Sequence, residues 1–191
     1  LLAPFMLVLT QPDLGTAILI LVSGVVITWL GGVRWKIFAY LSGLLIILAP
    51  VGISFLKPYQ KNRILTFLDP DADPLGAGYQ IIQSKIAIGS GGLFGKGFLN
   101  GSQAYLNFLP EKHTDFIFTL YSEEFGFLGS AFMVFLYFLI TSRIIFIGNI
   151  TRSIFAKLYC YGFATAFFIY VAVNMSMVLG LLPIVGAPLP I

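Results

Sequence analysis

From Leu14 to Val33 the chain runs for twenty residues without a charge, and from Ile37 to Leu56 it does so again. A helix of about 20 apolar residues rises roughly 30 Å, the thickness of a bilayer's hydrocarbon core. Two further stretches, Phe116 to about Ile140 and Phe155 to about Leu182, are longer and strongly apolar though they carry Glu123, Glu124 and Lys157, and Leu1 to Leu9 reads as the tail of another. Only 10% of the 191 residues are charged, against roughly 25% in an ordinary soluble domain. With 58% hydrophobic residues and a mean hydropathy of +0.94, a soluble core of this size would leave large apolar patches in water. The expected fold is all-α: a polytopic transmembrane helix bundle of about four full spans plus a partial one, forming a single membrane domain over residues 1–191. Pro50 is a candidate kink in the third stretch.

The remaining segment, residues 57–115, is polar and rich in Gly and Pro. A loop of this length between short connections is usually functional or disordered. It is not uniformly polar: "AGYQIIQSKIAIGSGG" has the content of a short amphipathic helix suited to the membrane interface, and "LDPDADPLGAG" reads as turns. Arg34 and Lys36 lie in one short connection, Arg143, Arg152 and Lys157 in another. Counting spans puts both on one side, which the positive-inside rule makes cytoplasmic. The long segment then lies on the extracytoplasmic face together with Lys57, Lys61, Arg63, Lys85, Lys96 and Lys112. Long loops largely escape the charge rule.

A net charge of +3, scattered along the chain, gives no footprint for nucleic acid. Cys160 is the only cysteine, which excludes an intramolecular disulfide, and its aromatic neighbours suit a packed thiol. The chain opens on Leu1 without the charged start and cleavage site of a signal peptide, and reads as part of a longer polypeptide. No internal repeat is visible.

The glycines of "GSGGLFGKG" invite a phosphate-cradling reading, but the P-loop pattern fails: Lys96 is followed by Gly97, and Ser90 stands where the first glycine should be. A turn above the membrane and a phosphate-binding nest both fit. The cations Lys61, Arg63, Lys85, Lys96 and Lys112 suit either a phosphorylated ligand or lipid headgroups. Arg63 is the first choice because guanidinium binds oxyanions in a bidentate manner. Asp13, after Pro12, is ordinary helix-start chemistry. Asn174 and Ser176, inside an apolar stretch, are expected to bind neighbouring helices.

The densest polar signal is "LPEKHTDFIFTLYSEEFGFLG", Leu109 to Gly129, with Glu111, Asp115, Glu123, Glu124 and the only histidine, His113. Asp115 precedes an apolar helix, where a first-turn carboxylate favours the dipole. Glu123 and Glu124 fall two turns inside, and carboxylates within a membrane span are costly and usually functional. At 100° per residue, Asp115, Thr119, Ser122 and Glu123 make one polar stripe about 12 Å long, expected to face a cavity, with Glu124 about 180° from Asp115. A carboxylate at such a mouth can act as a general base towards a hydroxyl, with nearby cations stabilising an anionic leaving group. One histidine and scattered carboxylates give no metal-ligand spacing; a divalent ion such as Mg would arrive with a bound phosphate. An enzyme acting on a lipid phosphate and a proton-coupled transporter both fit these residues.

"QPDLGTAIL", "FLDPDADPLGAGYQIIQSKIAIGSGGLFGKG", "FLPEKHTDFIFTLYSEEFGFLG" and "NMSMVLGLLPIVGAPLP" resemble, in the same order, the SEDS family (shape, elongation, division and sporulation). "QSKIAIGSGG" and "GSQAYLNFLPEKHTDFIF" are most similar to its elongation branch, RodA, rather than its division branch, FtsW. The resemblance implies a membrane domain of about ten helices in the bacterial cytoplasmic membrane, of which this chain is a part. It implies a peptidoglycan glycosyltransferase that polymerises lipid II, a disaccharide-pentapeptide on undecaprenyl pyrophosphate, with a class B penicillin-binding protein and the elongation machinery as partners. It places the family's essential aspartate at Asp115. On that reading Asp115 is the base, Arg63, Lys85 and Lys96 bind pyrophosphate, and Glu111 and His113 line the substrate's approach. Glu123, Glu124 and Thr119 are supporting residues. The alternatives are a lipid II flippase, a division or sporulation member of the same family, or a non-catalytic scaffold.

Overall fold

The computed structural model describes residues 2–10, 14–54, 61, 65–67, 69, 76–102, 114–184 and 186–190. Their regular structure is helical: α1 (Leu2–Thr10), α2 (Leu14–Leu30), α3 (Trp35–Ser54), α4 (Ala77–Ser90), α5 (Ile117–Ile150) and α6 (Ile154–Val178). α5 and α6 are each long and apolar enough to cross a membrane. They form a helical hairpin closed by only three extended or capping residues, 151–153, with the Ser153 hydroxyl accepting from the Ala156 N–H at 3.5 Å. Near the hairpin's closed end, Gly148 lets Cys160 and Tyr161 approach, and the Tyr161 hydroxyl donates to Asn149 Oδ1. α2 packs on α6, α1 on α2, and α4 on α5 and α6. α3 presents apolar side chains on every side, with Tyr40, Ile46 and Ile47 each more than 70% exposed. A helix apolar all round is what hydrocarbon or further helices can cover.

α5 continues to Ile150, about ten residues past its expected end, so Arg143 is carried on the helix rather than in a connection. Nothing between Ile140 and Gly148 breaks a helix: Thr141 and Ser142 turn their hydroxyls back onto the Tyr137 and Phe138 carbonyls. Arg143 is exposed, its guanidinium 5.4 Å from the centre of the Phe146 ring.

The other departure from a simple span lies near the start of α5. Gly126, at φ +66° and ψ −161°, interrupts the helix. An interruption leaves carbonyls without partners on one side and N–H groups on the other. In apolar surroundings each would cost several kcal/mol. The glycine loop after α4 supplies both sets. Lys96 and Gly97 donate their N–H groups to the Glu123 and Glu124 carbonyls, each at 3.0 Å. Phe127 and Leu128 donate to the Gly92 and Leu93 carbonyls at 2.8 and 3.1 Å. "GSGGLFGKG" is therefore neither a free turn nor an open phosphate nest. Its Gly95, Lys96 and Gly97 N–H groups are already bonded, the first to Gly91.

This insertion requires two backbones to touch. A Cβ on Gly95 would overlap the Glu124 carbonyl, and one on Gly126 would overlap the Gly95 nitrogen. Gly92 also has a positive φ, +56°, but nothing within 4 Å of its missing Cβ. Gly95→Ala and Gly126→Ala should each abolish the monodisperse protein or lower its melting temperature in detergent far more than Gly92→Ala. The last should cost about 1–2 kcal/mol, the left-handed penalty alone. Equal melting temperatures for all three would refute the insertion.

Candidate active site

Buried polar side chains gather where α4, the start of α5 and the end of α6 meet. Ser84 of α4 and Thr119 of α5 are both fully buried, their hydroxyls 2.7 Å apart. Ser84 Oγ also donates to the Val178 carbonyl at 2.8 Å. A serine has one hydroxyl proton, so Thr119 must be the donor in the first bond. Around this link pack Phe116, Phe118, Val171, Met177, Val178 and Leu189. α6 stops here in a Schellman turn: Gly180, at φ +69°, donates to the Met177 carbonyl and Leu181 to that of Ser176.

Asp115 stands in the turn just before α5 and is half-buried. Its position is fixed from behind by Asn174, which is fully buried on α6. One N–H of the Asn174 amide donates to the Asp115 backbone carbonyl at 2.8 Å, the other to the Ala187 carbonyl at 2.7 Å. Gly186 lies alongside, with a Cβ there coming 3.7 Å from Asp115 Oδ2. The carboxyl thus lies beside the 186–190 segment, while the backbone of Asp115 is held from α6. Asn174 Oδ1 is buried with no hydrogen-bond partner among the described residues. Two neutral hydrogen bonds are worth about 1 kcal/mol each, and an unsatisfied buried acceptor costs about 1–3 kcal/mol. Asn174 therefore contributes little net stability and a definite position. Asn174 was expected to bind a neighbouring helix; its partners are instead the turn before α5 and the non-helical 186–190 segment.

Glu123 is engaged differently. It is fully buried, and its Oε1 accepts from Lys96 Nζ at 2.7 Å and from the Ser102 N–H and hydroxyl, both at 2.9 Å. A buried carboxylate needs such compensation. The Lys96 side chain, 31% exposed, is thereby committed to an internal ion pair and also lies 3.1 Å from Ser102 Oγ. Glu124 is half-buried, with its Cγ beside the same Gly101 that lies against Glu123 Oε2. Lys85 is exposed and reaches over Gly180 at the end of α6. Among the described cations of the long segment, Lys61 and Lys85 are exposed, whereas Lys96 is held in the ion pair. Arg63, Glu111, His113, Lys112 and Asp13 lie outside the described residues.

Of the expected stripe of Asp115, Thr119, Ser122 and Glu123, the last three are buried against protein and Asp115 is half-buried. Thr119 is bonded to α4, Glu123 to the glycine loop and Ser102, and Ser122 Oγ lies 2.9 Å from Ser130 Oγ, which also donates to the Gly126 carbonyl at 2.8 Å. The stripe is covered because α4 and the glycine loop, distant in sequence, pack on that face. Ser84 and Ser102 were missed by sequence reasoning. Ser84 had a signal: it stands between Ile81 and Ala87 on the apolar face of an amphipathic helix. Ser102 had none. A groove of about 750 Å³ runs between α2, α5 and α6, lined by Trp29, Phe138, Phe168 and Met175 among others, with no charged residue. Among the described residues no group of three or more His, Cys, Asp or Glu comes together.

The sequence model of the FtsW/RodA/SpoVE family, described as "Cell cycle protein", matches residues 1–191. The chain is 47% identical to peptidoglycan glycosyltransferase MrdB of Escherichia coli K12, over 98% of its own length and 51% of the relative's. It is 45% identical to peptidoglycan glycosyltransferase RodA of Treponema pallidum, over 73% of this chain and 32% of that one. It is 38% identical to stage V sporulation protein E of Bacillus subtilis, over 97% and 50%. In three dimensions it resembles a chain of a peptidoglycan synthase complex that coordinates polymerization and crosslinking. The TM-score is 0.77 at 32% identity, covering 96% of this chain and 50% of that one. The chain spans about half the length of most of these relatives. A match along its whole length, with the helical bundle to go with it, makes this chain a member of the FtsW/RodA/SpoVE family of membrane proteins.

Proposed function

We propose that the protein containing this chain is a lipid II-dependent peptidoglycan glycosyltransferase of the elongation type, with Asp115 as its general base. The observation that carries the assignment of the base is the contrast between the two acids at the start of α5. Glu123 is fully buried and already accepts from Lys96 and Ser102, so taking a proton there would break an internal ion pair. Asp115 is half-buried at the head of the helix, its backbone held by Asn174. A base must reach the proton it removes and keep its geometry while doing so.

The donor sugar of lipid II is α-linked to pyrophosphate and the polymer is β-1,4-linked, so a single inverting displacement suffices. Asp115 takes the proton of the acceptor 4-hydroxyl as its oxygen attacks the anomeric carbon, and the bond to pyrophosphate breaks. The departing pyrophosphate carries negative charge, for which Lys85 and Arg63 are the cations on this reading. Lys96 leaves that role for a structural one. The site lies on the extracytoplasmic face of the bacterial cytoplasmic membrane, where lipid II is presented, and a class B penicillin-binding protein crosslinks the strands. The similarity to a chain of a peptidoglycan synthase complex supports such a partner.

Polymerisation of purified lipid II by the full-length protein with its partner tests the base. Asp115→Ala and Asp115→Asn should each slow glycan formation about 10²–10⁴-fold, the usual contribution of a general base, with the complex intact. Wild-type rates in both variants would exclude Asp115 as the base. A flippase would instead translocate lipid II and form no glycan.

The two lysines should separate in a second experiment. Lys85→Ala is expected to weaken use of lipid II at an unchanged melting temperature. Lys96→Met leaves a buried carboxylate unpaired and should destabilise the protein by about 3 kcal/mol. The double variant Lys96→Met with Glu123→Gln should be less destabilised than the sum of the two single changes. Additive losses of melting temperature would mean that the pair does not form.

A further inference from the structure

The structure assigns Asn174 a task beyond tying α6 to two stretches of backbone: it is the positioning residue of Asp115. This rests on the reading of Asp115 as the base. Asn174 is fully buried, and both of its amide N–H groups are spent on backbone carbonyls. One belongs to Asp115, the other to Ala187, next to the Gly186 that lies beside the Asp115 carboxyl. A single side chain thus sets the spacing between the turn that carries the base and the strip of backbone facing it. Asn174 is rooted in α6, packed against α5 and closed by its Schellman turn, so the reference point is rigid.

The geometry calls for a double donor and not merely a filler of that volume. Both carbonyls are acceptors, so a side chain that joins them must bring two donor hydrogens, as the Asn174 amide nitrogen does. Asn174 does this while its own Oδ1 has no protein partner among the described residues, which a side chain selected only for packing would avoid. Leu or Ala would release both carbonyls. Asp, of nearly the same shape, would turn an acceptor towards each. A second donor reaches the same segment without touching Asp115: the Tyr137 hydroxyl donates to the Pro190 carbonyl at 3.1 Å. Loosening the segment alone can therefore be separated from releasing Asp115.

The test uses the full-length protein in complex with its penicillin-binding partner, with rates of lipid II polymerisation expressed per monodisperse complex and melting temperatures measured alongside. Asn174→Ala is expected to lower kcat at least tenfold with KM for lipid II within twofold of wild type, since the base is displaced while binding is not. Asn174→Asp should lose as much despite its shape. Tyr137→Phe should keep kcat within twofold. Asp115→Asn is the reference for loss of the base itself. If Asn174→Ala or Asn174→Asp turns over at the wild-type rate, the positioning role is wrong. It is equally wrong if Tyr137→Phe loses kcat as far as Asn174→Ala, because the effect is then general loosening. If Asp115→Asn itself polymerises normally, the reading of the base fails, which is a different result from an inert Asn174 substitution beside a dead Asp115→Asn.

Discussion

Four backbone hydrogen bonds, between the glycine loop and the break at Gly126, are the constraint on which the site depends. A helix interrupted among apolar neighbours needs partners for its freed groups, and only a backbone can supply donors and acceptors at the right spacing on both sides at once. Once the loop is locked into the break, Lys96 is delivered to Glu123, and Ser102 follows a few residues on. The ion pair is a consequence of the insertion as much as a cause. Its buried carboxylate would be prohibitive if the loop were not already held there.

The apolar helices were legible in their long apolar runs, two of them long enough to cross a membrane, and the family was legible in long motifs. The end of α5 was not. Arg143 looked like the start of a connection, yet a long cationic side chain can ride on a continuing helix. The helical wheel was sound up to its own assumption. It grouped Thr119, Ser122 and Glu123 on one face, and they are all buried on it. It could not see what covers that face, since Ser84 meets Thr119 from 35 residues away and Ser102 meets Glu123 from 21. Periodicity reports which residues share a side; it carries no record of the partner. The glycine run had the opposite problem. Its backbone freedom was plain, but a ligand loop and a loop that repairs a broken helix ask for the same residues.

The two acids illustrate why residue type alone does not assign chemistry. From sequence, Glu123 was the more suspicious residue because a carboxylate deep in an apolar stretch needs a reason. The reason turned out to be structural, an internal pair with Lys96 and Ser102. Asp115 looked ordinary, a first-turn acid with a dipole to satisfy. What raises it is the backbone around it: a buried amide that spends both donors on holding the turn and the facing segment, at a position with little net gain in stability. The same reasoning gives Lys96 an internal partner and leaves Lys85 exposed.

The polar groups are also unevenly placed along the bundle. Ser84, Thr119, Ser122, Glu123 and Asn174 are all buried, and all lie where α4, the start of α5 and the end of α6 converge. At the other end of the hairpin, Arg143, Asn149 and Arg152 are exposed. A membrane helix pair needs buried polar bonds for association at neither end in particular. Concentrating them at one end makes that end stiff and leaves the long apolar faces of α2, α3 and α5 for lipid or further helices. On the proposed function this division holds a base rigidly among the polar groups while the hydrocarbon part of a lipid-linked substrate requires only apolar cover.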